Sequence, residues 1–68
     1  MAQPTPKRPV TGAERKVLLW LQRGLSNRAI ASELVLSPRT VESHIAHLLC
    51  KTGCHNRTQL LLWTLTER

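Results

Sequence analysis

The 68-residue chain predicts an all-α domain of four helices that contains a helix-turn-helix. Three observations carry that prediction. A polar cap stands ahead of each apolar stretch, the apolar residues return at helical rather than strand spacing, and only short turns are left between the stretches. A chain of this length forms one domain at most and buries only about 60% of the surface it exposes when unfolded. Its two cysteines supply no disulfide framework, so stability must come from tight helix packing or from association.

Residues 1–9, MAQPTPKRP, hold Pro4, Pro6 and Pro9 and the basic pair Lys7-Arg8 without an apolar pattern. They read as a disordered arm or linker stub ahead of a domain over residues 10–68. Thr11 and Glu14 form a capping box that opens the first helix. Ala13, Val17, Leu18, Trp20 and Leu21 hold one face of that helix, and Gly24 ends it. Ser26 caps a second, shorter helix carrying Ile30, Ala31 and Leu34. Only Val35 and Leu36 separate this from Ser37 and Pro38, an N-cap followed by proline at the first helical position. The third helix then runs to about Thr52, with Gly53 as a left-handed terminator. Asn56 and Gln59 cap the fourth, RTQLLLWTLT.

Charge narrows the function. Ten Lys and Arg stand against four acidic residues, all Glu, for a formal charge of +6. Such an excess favours a polyanionic partner, nucleic acid before an anionic membrane. No apolar run approaches the roughly 20 residues of a membrane span, and no apolar segment follows the basic start, so a cytoplasmic location is expected. With no Asp, no glycine-rich phosphate loop and little room for a pocket of several hundred Å³, an enzyme is not expected. Nor is a metal or cofactor. Cys50, Cys54, His47 and His55 match no zinc spacing, and Gly53 should break the helix between the two cysteines.

The third helix has two unlike faces. At about 100° per residue, Val41, Ile45, Leu48 and Thr52 fall within roughly 60° of one another and must point inward. Opposite them lie Arg39, Ser43, Ala46 and Cys50, flanked by Glu42 and His47. His44 lies at the edge of the inward stripe and reads as a packed, hydrogen-bonded histidine. The outer stripe is small and polar near the helix start and lacks the long Lys/Glu pairs of a solvated face. Small side chains let a helix backbone approach a second surface closely, and a major groove about 12 Å wide admits one helix. The preceding helix, joined by a short turn, would cross the DNA backbone above it.

The run GLSNRAIASELVLSPRTVESH, followed by K-T-G-C-x-x-R, resembles the LuxR-type (NarL/FixJ-type) DNA-binding domain. Members show G-L-S-N-[KR]-E-I-A, S-x-x-T-V-[KE]-x-H and K-L-G-V-x-x-R, and the likeness covers about residues 10–65. It implies a four-helix domain that grips DNA with its third helix and commonly pairs through its fourth. Four positions depart from the pattern: Ala13 replaces an arginine, Ala29 a glutamate, Thr52 a leucine and Cys54 a valine. A surface ion pair lost at Ala13 or Ala29 costs at most about 1 kcal/mol. Thr52 in the core costs more unless its hydroxyl bonds back to a helix carbonyl. Cys54 falls at a core position and reads as a small buried hydrophobe.

On this reading Arg28, Arg39, Lys51 and Arg57 hold phosphates, with Asn27, Ser37 and Thr40 as neutral donors and the first-turn amides of the third helix behind them. Base reading falls to Glu42, Ser43, Ala46 and His47. Glu42 can accept from a cytosine amino group, and Ala46 is placed to touch a thymine methyl. The fourth helix is apolar almost all round. Leu60, Trp63 and Thr64 should join the core, which leaves Thr58, Leu62 and Leu65 as an exposed stripe for a homodimer on DNA or for a regulatory domain. Two rival readings stand beside this one: a module like region 4 of sigma factors, which also binds RNA polymerase, and a protein-interaction module with a basic face. The chain reads either as a free-standing regulator, which Met1 favours, or as the effector domain of a longer protein.

Overall fold

The computed structural model describes residues 10–66; the expected arm over residues 1–9 lies outside them. Four helices follow one another, α1 (Gly12–Gln22), α2 (Asn27–Leu34), α3 (Pro38–Thr52) and α4 (Arg57–Thr66), and no strand occurs among the described residues. Each start is explained by the residue ahead of it. The Thr11 hydroxyl accepts from the Glu14 amide while the Glu14 carboxylate accepts from the Thr11 amide, both at 3.1 Å. Ser26 accepts from the Ala29 amide at 3.2 Å, and Ser37 from the Thr40 amide at 3.1 Å with Pro38 next in the chain. Asn56 accepts from the Gln59 amide at 2.8 Å, and the Gln59 side chain returns the bond to the His55 amide at 2.7 Å. The bonds from the Glu14, Ala29, Thr40 and Gln59 amides each satisfy a donor that an α-helix leaves without a partner in its first turn.

The ends are less uniform. Gly24 and Gly53 take φ of +86° and +77°, the left-handed region that costs glycine nothing. The α2 terminator is instead Val35, at φ 56° and ψ 49°, a conformation that crowds a β-branched side chain. Sequence alone gave no sign of this. A backbone bond from the Leu36 amide to the Ala31 carbonyl, 2.8 Å long, closes the turn, and Leu36 packs against the core. Burial of the residue after the turn thus holds Val35 in place while its own side chain stays 90% exposed.

The core is Val17 and Leu21 of α1, Ile30 and Ala31 of α2, Val41, Ile45 and Leu48 of α3, and Leu60 of α4. Leu18, Trp20, Leu34, Trp63 and Cys54 are half-buried around it. One α1 assignment needs correction. Ala13 is exposed, and Glu14 occupies the inward line beside Val17 and Leu21. Positions 14, 17 and 21 are spaced three and four apart, so they share a face. Thr52 meets the condition set for it, since its buried hydroxyl donates to the Leu48 carbonyl at 2.8 Å.

Long-range polar contacts lock the packing. The Arg57 guanidinium donates to the Leu25 carbonyl at 2.7 Å and to the Asn27 side-chain oxygen, which ties the start of α4 to the start of α2. Gln22 donates to the Thr64 carbonyl at 3.5 Å.

Candidate nucleic-acid interface

The two faces of α3 separate cleanly. Val41, Ile45, Leu48 and Thr52 are buried, whereas Arg39, Glu42, Ser43, Ala46, His47 and Cys50 are exposed. The inward set fixes the rotation of the helix about its axis, because turning it would expose four buried side chains and bury Glu42. The outward set is therefore held in one orientation by the burial of the opposite face. His44 sits half-buried between the faces; the hydrogen bond expected of its ring is not formed among the described residues.

The start of α3 carries two hydroxyls within one turn, those of Ser37 and Thr40. Ser37 and Thr40 stand 2.9 Å apart, hydroxyl to hydroxyl, and the first amides of the helix open toward the same end, where the helix dipole favours an anion. Arg39 lies beside them, exposed. Arg28 is exposed in the first turn of α2. Asn27 is half-buried, and because its side-chain oxygen receives Arg57 its amide N–H groups are the part left to donate outward.

Two of the cations expected to hold phosphates have partners inside the fold. The Arg57 guanidinium is engaged by Leu25 and Asn27 inside the fold. The Lys51 ammonium lies 2.6 Å from Glu14 Oε1, with the Lys51 side chain 9% exposed and that of Glu14 4% exposed. Both cations thus tie separate helices together, and both are half-buried. Spacing alone could not separate these roles, since the clue lies in the partner helix. Sequence reasoning placed Glu14 in the capping box but missed its burial and its pairing with Lys51, although its three-and-four spacing to Val17 and Leu21 put an acid on a core line.

Glu14 anchors a small electrostatic cluster. Its Oε1 receives the Thr11 amide and the Lys51 ammonium, and its Oε2 faces His47 Nδ1 at 3.9 Å. Burial by itself raises the carboxyl pKa, but the hydrogen bond and charge of Lys51 together with the bonds from Thr11 hold it below the ordinary 4.5. The Glu14 carboxylate is thus charged at neutral pH in spite of its burial.

Elsewhere, an open cleft of about 340 Å³ lies between the start of α1 and the end of α2, lined by Gly12, Ala13, Lys16, Leu34 and Leu36. It is roomier than the sequence led one to expect, and Lys16 is the one titratable group among the described residues that line it. Among the described residues no set of three or more His, Cys, Asp or Glu side chains is placed to hold a metal ion. Cys50 is exposed on α3, and Cys54 is half-buried against the core. On α4, Leu60 and Thr64 are buried and Trp63 is half-buried, while Thr58, Leu62 and Leu65 are exposed. Leu62 keeps 56% and Leu65 47% of their surface in solvent.

Comparison with known proteins places this geometry. An HTH-type transcriptional regulator of Mycobacterium tuberculosis is 43% identical over 61 residues, which covers 81% of this chain and 7% of that protein. Response regulator Rre1 of Synechocystis is 40% identical over 91% of this chain and 27% of its own length. The transcriptional regulatory protein UhpA of Escherichia coli is 44% identical over 76% of this chain and 26% of its own. The chain therefore spans about a quarter or less of the relatives it matches. The profile described as bacterial regulatory proteins, luxR family, matches residues 9–64, a span that takes in α1, α2, α3 with its exposed ridge, and all but the last two residues of α4, and this chain belongs to the luxR family.

Proposed function

We propose that this chain binds double-stranded DNA in a sequence-specific manner as the DNA-binding domain of a bacterial transcriptional regulator, with α3 in the major groove. The observation that carries this reading is the two-faced α3, whose rotation is fixed by four buried side chains and whose outer ridge is short enough to enter a groove. The names of its relatives support it, being transcriptional and response regulators. Glu42, Ser43, Ala46 and His47 meet base edges. Arg28, Arg39, Ser37, Thr40 and the Asn27 amide position the duplex through its phosphates. Lys51 and Arg57 support this surface from inside the fold. The chain works by binding rather than catalysis, in the cytoplasm at the nucleoid.

Two copies pair on DNA through Thr58, Leu62 and Leu65 of α4, and present two α3 helices to successive groove segments. RNA polymerase is the further partner when the regulator activates. Selection of bound sites from random duplexes tests the reading. The expected outcome is a half-site motif, repeated with two-fold symmetry, whose binding weakens about 10³- to 10⁵-fold between 50 and 200 mM salt if six to ten phosphates are contacted. Binding that ignores sequence would instead support an interaction module with a basic face.

A further inference from the structure

The luxR-family reading leaves unexplained why a carboxylate with only 4% of its side chain exposed should direct one oxygen at an exposed residue of the reading helix. Glu14 Oε1 is already saturated by the Thr11 amide at 3.1 Å and the Lys51 ammonium at 2.6 Å. Those two bonds, from the cap of α1 and from α3 one turn beyond His47, fix where Oε2 points. It points at Nδ1 of His47, 3.9 Å away, whose side chain is 66% exposed. That separation is longer than a hydrogen bond, but a carboxylate oxygen can only accept, so the ring nitrogen that faces it is the one suited to carry a proton.

We propose that Glu14 is a positioning residue for base recognition, setting which ring nitrogen of His47 carries the proton. A neutral imidazole has one donor and one acceptor nitrogen, and the environment of one decides the character of the other. With the proton on Nδ1, facing Glu14, Nε2 is left as an acceptor turned toward solvent. In a major groove an acceptor pairs with the amino groups of cytosine N4 or adenine N6 and is rejected by guanine N7 and O6. His47 thereby selects against guanine at the base it meets. The residue that makes it do so lies on another helix, outside the groove.

This inference rests on the proposal that α3 reads the major groove, and its test separates the two. Long-range proton–nitrogen NMR of the free protein reports the tautomer of each histidine, with the exposed His55 as internal comparison. His47 is expected as the Nδ1–H form; an Nε2–H form like that of an unconstrained imidazole overturns the proposal whatever the protein does on DNA. Glu14→Gln supplies the second arm. Glutamine keeps the capping bond, and its amide N–H turned to Nδ1 makes that nitrogen the acceptor and Nε2 the donor. Preference at the base pair next to His47 should then move toward guanine by about five- to tenfold, the lower range for one base contact. In a His47→Ala background the same Glu14→Gln change should leave base preference unaltered. A shift that persists there means Glu14 acts through the fold alone and overturns the proposal. If no duplex sequence is preferred by any variant, the groove-reading proposal fails, while the tautomer measurement still decides the role of Glu14.

Discussion

Lys51 and Glu14 form a pair that neither helix could support alone. Both side chains are nearly out of water, and removing one partner from such a pair costs about 3–5 kcal/mol because the other charge stays buried without compensation. A single core of this size rarely supplies more than about 3–5 kcal/mol in total. Lys51→Met should therefore lower the urea midpoint, rather than weaken the DNA affinity of the folded domain as loss of a phosphate contact would. Acid should act through the same pair. A carboxyl whose folded pKa lies below its unfolded one contributes stability at every pH above the unfolded value, and loses it as pH falls through the folded value. For Glu14 the loss begins near its ordinary 4.5 and completes below it. Urea midpoints of the wild type and Glu14→Gln should accordingly differ at pH 7 and converge toward pH 3. A gap that stays constant would assign the stability difference to packing. Val35 makes the opposite case, a residue where the natural side chain is the unfavourable one. Its left-handed backbone costs roughly 1–2 kcal/mol, and asparagine tolerates that region better. Val35→Asn should raise stability by about 1 kcal/mol, a shift of roughly 4–8 °C in Tm for a domain of this length.

Among the elements, what could be read from the sequence follows from what acts locally. Thr11, Ser26, Ser37 and Asn56 each accept from the amide three residues on, so four helix starts were visible in short windows. The inward stripe of α3 was visible for a related reason: Val41, Ile45, Leu48 and Thr52 follow the helical period, and all four are buried. The Val35 terminator was not visible, because no local preference puts valine at positive φ. It is imposed from outside by the burial of Leu36 and by the bond to Ala31. The roles of Lys51 and Arg57 were hidden for the same reason. Their partners stand 37 and 30 residues away, a separation at which spacing says nothing about contact. The exposed ridge of α3 could thus be assigned from periodicity, but the support beneath it became legible only once the helices were packed.

For the molecule as a whole, the apolar stripe on α4 bears on how the domain works on DNA. Leu60 and Thr64 fill the α1–α3–α4 junction, leaving Leu62 and Leu65 about half in solvent on the far side. The intramolecular packing of α4 does not need this stripe, so a change there can be tested without disturbing the core. Each protomer of a two-fold pair contributes the same stripe, and a residue near its centre meets its own copy or a close neighbour across the axis. Leu62→Glu would place two carboxylates near that axis and remove apolar area from both sides. Stability of the single domain should change by less than about 0.5 kcal/mol, as for an ordinary surface substitution. Affinity for a duplex with one half-site should likewise stay within about twofold. Binding to two half-sites one helical turn apart, about 10–10.5 base pairs, should lose its cooperativity, so that the second copy binds no more tightly than the first. Gel-shift titrations on one-site and two-site duplexes distinguish the outcomes: retained cooperativity moves the pairing surface away from α4, whereas weakened one-site binding shows that the substitution has disturbed the single domain itself.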